Sequence, residues 1–301
     1  MSTISRVAFA GATGNLGPAI LKELVDAGFQ VSVLTRKDST SSSSLPSSVT
    51  AVPVDYDSLD SLTSALKDHD AVVSTLGATA LSKQLLLIEA SIKAGVKRFI
   101  PSEFGSNTLA EKTSRLPVYT DKIAVQNALK QAAASSPLTY TYVLNGAFLD
   151  WGLMVGFLLD LKNKKVTLYD NGERTFSTTT LPTIGKAVVG VLRHPAETAN
   201  RPVYVQDTAI TLKKLVAMAK KATGPDGWTE EVVPVDDIVA GAWAELKSPN
   251  PDPNKFVLPF IQATIFGEGY EAQHQKLDNE LLGIKGLSDD EVQELVNRYA
   301  K

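Results

Sequence analysis

A phenol and an ammonium group stand three residues apart in the stretch LPVYTDKIAVQNALK, residues 116–130, as Tyr119 and Lys122. A tyrosine that gives up a proton benefits from a cation one helical turn away, and one turn joins residues i and i+4. Tyr119 and Lys122 fall one residue short, and none of the eight tyrosines is followed by a lysine four positions later. The pair is a displaced version of that device, a chance neighbourhood, or the edge of a site centred on the lysine alone. Other reactive types are scarce. There are no cysteines, which removes disulfides, thiolate nucleophiles and cysteine-ligated metals. The three histidines, His69, His194 and His274, have no ligand spacing and read as solvated loop or helix residues.

A second constellation suits phosphate. Gly11, Gly14 and Gly17 form G-x-x-G-x-x-G directly after an apolar run and at the start of a helical pattern. Glycine there permits a tight turn, lets the backbone approach a pyrophosphate and allows close packing of helix on strand. The helix N-terminus adds N–H donors for the anion. Thr13, Asn15 and Leu16 belong to the same turn and are counted with it. At the end of the second apolar run the sequence is LTRKDS. An acidic residue at that position would take a ribose 2′-hydroxyl, whereas Arg36 and Lys37 suit a 2′-phosphate. The alternative is a solvated basic pair at the start of a loop. Asp38 lies two residues past the place where a ribose acceptor belongs, so NADPH is expected rather than NADH. In VDYDS, Asp55 and Tyr56 are placed for contacts to an adenine edge, while Asp57 or Ser58 caps the next helix.

The elements that must position these groups alternate. SRVAFAGATG, FQVSVLTR, VTAVPVDYDS, DAVVSTLG, KRFIPSEFG and LTYTYVLNG read as strands, separated by helical patterns that include the Lys122 segment. Strict alternation with short connections predicts an α/β fold with a doubly wound parallel sheet, whose ligand crevice lies at the carboxyl ends of its strands. The serine-rich stretch 39–48 is expected to be an exposed connector. Past residue 150 the pattern loosens. WGLMVGFLLDL reads as an apolar helix, and KKVTLYDNGERTFSTTT as a hairpin turning at Asn171-Gly172. From Trp228 onward mainly helices are expected, around a proline-rich loop at 248–254. A soft boundary near 150 divides a dinucleotide-binding unit, 1–150, from a smaller α/β substrate unit, 151–301, that caps the crevice.

Length and charge agree with this. A chain of 301 residues suits one large or two intimate domains, and 44% hydrophobic with 21% charged residues is ordinary for a globular protein. The net charge of −3 comes with no basic face for nucleic acid. No apolar run reaches bilayer-spanning length, and the N-terminus runs straight into a strand without a secretion signal. A cytoplasmic protein is expected.

Taken together, GATGNLG, TRKDS, VVSTLG, RFIPSEFG, the Lys122 helix and TYTYVLNGAF resemble the isoflavone reductase-like and NmrA-like branch of the atypical short-chain dehydrogenases. KVTLYDNGERTFSTTTLPTIGKAVVGVL extends the resemblance to about residue 220. It implies a Rossmann fold, NADPH as cofactor, and a catalytic lysine where Lys122 stands, in place of a tyrosine with a lysine four later. It also implies that Phe104 of the P-S-E-F-G segment lies near the nicotinamide. Leu76 and Gly77, Gln84, Ser102, Lys122 and Asn145 complete the expected cofactor contacts. The plant reductases carry a further basic residue in the loop after the second strand. Here that loop is the serine run, which leaves Arg36 and Lys37 to hold the 2′-phosphate.

A lysine in a closing, apolar crevice loses hydration, so its pKa falls and it can exchange a proton near neutral pH. Its charge can also stabilise a developing oxyanion. The alternative is a solvated helix lysine paired with Asp121 or Glu103. Trp151, Leu153, Met154 and Phe157 are either a wall for an aromatic ligand or plain helix core, and Phe148 is a further lining candidate. Ser102 and Glu103 are expected to shape their loop. Two functions stay open: an NADPH-dependent reductase of a small aromatic or conjugated carbonyl compound, and a dinucleotide-sensing regulator without turnover. The expected partner is a small-molecule substrate, with no nucleic acid, membrane or metal; a homodimer stays open.

Overall fold

A computed structural model describes residues 3–37 and 45–301; Asp38 and most of the serine-rich connector lie outside the described residues. The first half alternates as its pattern predicts. In order come β1 (Arg6–Ala10), α1 (Gly17–Asp26), β2 (Gln30–Arg36), β3 (Thr50–Val54), α2 (Leu59–Leu66), β4 (Ala71–Ser74), α3 (Lys83–Ala94), β5 (Arg98–Ile100), the single turn α4 (Glu111–Ser114), α5 (Thr120–Ser135) and β6 (Thr139–Leu144).

The second half contributes β7 (Ala147–Phe148), α6 (Leu149–Met154), β8 (Lys165–Tyr169), β9 (Thr175–Thr179), α7 (Leu181–Arg193), β10 (Arg201–Tyr204), β11 (Thr208–Thr211), α8 (Leu212–Thr223), β12 (Thr229–Val233), α9 (Val235–Leu246), α10 (Pro253–Phe266) and α11 (Asp289–Tyr299).

Seven strands pair in the order β10-β6-β5-β4-β1-β2-β3, all parallel. The order reverses between β1 and β4, which opens the crevice at their carboxyl ends. Because strand side chains alternate, β1 feeds both layers. Val7 and Phe9 pack with Ile20 and Leu24 of α1 and with Ile184 and Val188 of α7. Ala8 and Ala10 pack on the other side with Leu62, Leu66, Leu87 and Leu129 of α2, α3 and α5. One cover helix, α7, and the edge strand β10 therefore come from beyond residue 150.

Two smaller sheets, β11-β9-β7 and β12-β8, complete the chain. The expected hairpin does not form: β8 pairs with β12 and β9 with β11 and β7. A two-residue turn would return the chain alongside itself. Here Asp170, Asn171 and Gly172 take φ of 46°, 65° and 70° in succession, and the chain leaves for another sheet. The apolar helix after residue 150 is shorter than its composition suggests, ending at Met154 before Gly156, whose φ is 74°. Trp228 leads into a strand, β12, not a helix. Among the described residues no helix is long and apolar enough to cross a membrane.

Candidate active site

Each glycine of the first turn answers to a different constraint. Gly11 has φ of 89°, and a Cβ there would lie 2.7 Å from the Thr75 carbonyl carbon. On Gly17 a Cβ would lie 2.4 Å from the Ala12 carbonyl, because α1 packs directly on the turn. Gly14 is different. Its nearest neighbour would be the Gly11 oxygen at 3.6 Å, so nothing in the protein forbids a side chain and the flank of the turn is open. That open backbone beside a helix N-terminus fits an approaching phosphate. Thr13 and Asn15 are exposed and Leu16 is buried behind them. The Thr75 hydroxyl donates to the Gly11 carbonyl at 2.9 Å and braces the loop.

A cleft of about 680 Å³ runs from this turn along the ends of β2 and β3, lined by Gly11, Thr13, Arg36, Lys37, Asp55, Tyr56, Leu76 and Lys83, among others. Arg36 and Lys37 are both exposed at its rim. The Tyr56 hydroxyl donates to the Leu34 carbonyl at 3.1 Å, which holds its ring against β2. Asp55 accepts from the Asp57 amide at 2.9 Å. The cap of α2 is Ser58, whose hydroxyl accepts from Ser61, while Asp57 pairs with Lys83.

Gln84 does not line this cleft. It is buried, its side-chain oxygen accepts from the Ser102 amide at 2.9 Å and its nitrogen donates to the Leu81 carbonyl. Ser102 donates in turn to the Leu76 carbonyl at 2.9 Å. These two side chains tie the loop after β4, which also holds the exposed Gly77, to the loop after β5. Phe104 is buried in the same cluster as Ala12 and Leu16.

Lys122 enters from the first turn of α5, with the amine partly buried. The alternative pairing with Asp121 or Glu103 does not form. The amine donates to the main-chain carbonyl of Glu103. The Glu103 carboxylate, fully buried, accepts instead from the Thr108 hydroxyl at 2.6 Å and the Gln126 amide at 2.9 Å. Desolvation pulls the Lys122 ammonium below the usual lysine range, and the negative charge of Glu103 opposes that fall. Desolvation pushes the Glu103 carboxyl up, against the pull of Lys122, Thr108 and Gln126.

Tyr119 is engaged elsewhere. Its hydroxyl lies 3.2 Å from the Ser106 oxygen and 3.0 Å from the Thr264 oxygen, both buried. Its ring, not its hydroxyl, faces the lysine, with the amine 5.7 Å from the centroid. Burial raises its pKa. The Tyr119 hydroxyl is therefore turned to Ser106 and Thr264, and only its ring faces the Lys122 amine.

Asn145 directly follows β6 and is fully buried. Its side-chain nitrogen donates to the Gly146 carbonyl at 2.9 Å, and its oxygen has no protein partner. Gly146 takes φ of 65° where a Cβ would strike the Ser177 carbonyl at 2.0 Å, and its amide donates to Gly105. The loops after β5 and β6 are thereby joined. Of the candidate lining residues, Leu153 is core, whereas Phe148, Trp151 and Phe157 are half-buried and mutually packed, and Met154 is exposed. Among the described residues no group of acids and histidines is arranged to hold a metal.

Residues 3–240 match the NmrA-like family. The chain belongs to the NmrA-like family. Oxidoreductase poxI of Penicillium oxalicum is 32% identical over 295 residues, spanning 94% of this chain and 91% of the relative. The phenylcoumaran benzylic ether reductase IRL1 of Ginkgo biloba is 26% identical, spanning 98% and 99%. Among solved structures, the leucoanthocyanidin reductase–NADPH complex from Vitis vinifera superposes with a TM-score of 0.79 at 21% identity, over 98% of this chain and 99% of that one. AtPrR2 with NADP+ and (+)pinoresinol gives 0.78 at 23% identity, over 99% and 100%. These likenesses establish a Rossmann-like fold for this NmrA-like chain.

Thr108, Gln126 and Gly146 also shape the site without belonging to any of its sequence motifs. Gln126 had a signal: it follows Lys122 by four residues, on the same helix face. Thr108 and Gly146 had none, since their partners are set by contacts between loops.

Proposed function

We propose that this NmrA-like chain is an NADPH-dependent reductase of a small aromatic or conjugated carbonyl-type compound, with Lys122 as the proton-transfer or charge-stabilising group. The observation that carries the reading is the state of Lys122. Its proton affinity is drawn down by burial, its amine is held by one carbonyl, and among the described residues it has no contact ion pair to lock its proton. The reductase and oxidoreductase names of the relatives support the reaction class, and NADPH and NADP+ in the related structures support the cofactor.

The cofactor would lie against Gly11, Thr13, Gly14 and Asn15, with Leu16 and Gly17 shaping the turn behind them. Arg36 and Lys37 would take its 2′-phosphate, Asp55, Tyr56 and Leu76 would flank its adenosine half, and Gly77, Phe104 and Asn145 its nicotinamide half. Gln84 and Ser102 would act by holding the loops between them. When bound, NADPH supplies the hydride. Lys122 then gives the substrate oxygen a proton or neutralises the charge that develops on it. The half-buried rings of Phe148, Trp151 and Phe157 offer an apolar wall, and the smaller unit beyond residue 150 would exclude water from the reacting atoms.

Cofactor choice and turnover test this together. NADPH is expected to bind more tightly than NADH in titration calorimetry, and Arg36→Ala to narrow the difference. Equal dissociation constants in the wild type would remove the 2′-phosphate assignment. A screen of aromatic enones, ketones and quinones is expected to find NADPH oxidation. Tight NADPH binding with no turnover across that screen would favour a dinucleotide-sensing regulator.

A further inference from the structure

We propose that Glu103 is a positioning residue for Lys122: its main-chain carbonyl holds the amine while its buried carboxylate, kept out of contact, sets how readily that amine keeps its proton. The proposal rests on the reading of Lys122 as the proton-transfer group.

A lysine and a glutamate in a buried loop normally meet as a contact pair, because each charge is costly to bury alone. Here they do not. The Lys122 amine takes the Glu103 carbonyl, and no ion pair joins it to either Glu103 or Asp121. Both carboxylate oxygens are occupied by neutral donors, Oε1 by the Gln126 amide and Oε2 by the Thr108 hydroxyl. Thr108 also accepts from Gln126 at 2.9 Å, which closes the network. Gln126 stands one turn after Lys122 on α5, so a single helix face carries both the amine and the group that holds the carboxylate away from it. Tyr142, from β6, donates to the Gln126 carbonyl at 3.2 Å and fixes that turn.

The arrangement has a chemical consequence. A contact pair would hold the proton on the amine, and a lysine without a counter-charge in this pocket would lose it too readily. A carboxylate acting across the loop gives an intermediate affinity, which suits a group that must be an ammonium before transfer and an amine after it. The other titratable groups facing the pair are Tyr119, beneath the amine, and Tyr142. Burial pushes both phenols up, so they remain neutral. Among the described residues, the Glu103 carboxylate is the charge that raises the proton affinity of Lys122 against its burial.

The test is Glu103→Gln, which keeps the side-chain shape and removes the charge. Lysines are labelled as ¹³C-dimethylamines, and the Lys122 signal, assigned by its absence in Lys122→Arg, is titrated by NMR. The pH profile of kcat is measured in parallel at saturating NADPH. The Lys122 titration is expected to move down in pH by about one to three units, the size of effect an opposite charge at close range exerts. The alkaline limb of kcat should move by the same amount. If the signal moves and the kcat profile does not, the tuning stands and the lysine-centred reaction falls. An unmoved signal in folded Glu103→Gln overturns the proposal. Should that variant fail to fold, Thr108→Val removes one donor to the carboxylate and favours its neutral form. A smaller downward shift is then expected, and its absence is equally fatal.

Discussion

Lys122→Ala is expected to retain dinucleotide binding and lose about a hundredfold to ten-thousandfold in turnover, the usual share of a general acid–base group. Lys122→Arg keeps the charge but holds its proton at every accessible pH. Substantial activity in that variant would assign Lys122 to charge stabilisation; near-complete loss would assign it to proton transfer. Tyr119→Phe should cost turnover far less, because its hydroxyl serves Ser106 and Thr264. An inactive Tyr119→Phe beside an active Lys122→Ala would end the lysine-centred account. The glycines of the first turn separate folding from binding at the same scale. Gly14→Val should fold normally and lose NADPH binding, since its side chain would occupy only the open flank. Gly11→Ala must adopt φ of 89° against the Thr75 carbonyl, so it should lower the melting temperature itself. Both are read from thermal melts with and without NADPH. A Gly14→Val protein that binds normally would put the phosphate turn elsewhere.

Between residue and molecule stand the segments that pair or fail to pair. His274, in the connection between α10 and α11, is buried, contrary to its expected solvation. The ring is buried, packs edge-on against Tyr204 at 5.1 Å, and lies near the Leu144 carbonyl without a well-formed hydrogen bond. Desolvation lowers its pKa from 6.5 to about 4. Between those values the unfolded chain binds a proton that the folded chain refuses. Stability is therefore complete above pH 6.5 and lost as pH falls towards 4. At about 1.4 kcal/mol for each pH unit, the loss amounts to about 3 kcal/mol. His274→Phe keeps a ring against Tyr204 and removes the titration. Urea melts at pH 7 and pH 4 should show a smaller acid loss in the variant, and equal losses would mean that His274 is solvated after all. The absent hairpin at Asn171-Gly172 has a related lesson. A turn dipeptide is legible locally, but the partner of each flanking strand is chosen by distant residues, Thr229–Val233 for β8 and Thr208–Thr211 for β9.

For the whole molecule, the soft division near residue 150 marks where the regular alternation ends, yet one layer of the large sheet is completed from beyond it. Val7, Phe9, Ile20 and Leu24 are fully buried partly by Ile184 and Val188 of α7. A fragment of residues 1–150 would expose that face to water and lack the edge strand β10. It is expected to aggregate or to give a non-cooperative thermal transition, whereas the full chain should melt cooperatively and gain stability with NADPH. A cooperative fragment that binds NADPH would make the division a true domain boundary.

Much was determined by sequence alone: the alternating elements, the parallel sheet, and the places in it of the glycine turn, of Arg36 and Lys37 at the end of β2 and of the Lys122 helix. These are local or periodic signals, since a strand, a cap or a phosphate turn is specified by residues within a few positions of one another. Only the tertiary structure decided what those residues touch. It gave the Tyr119 hydroxyl to Ser106 and Thr264, turned Gln84 inward onto Ser102, buried His274, and set the Glu103 carboxylate on Thr108 and Gln126 instead of Lys122. Such choices are settled by competition among groups far apart in the chain for the same buried hydrogen bonds, and the packing of the loops after β5 and β6 decides which group wins.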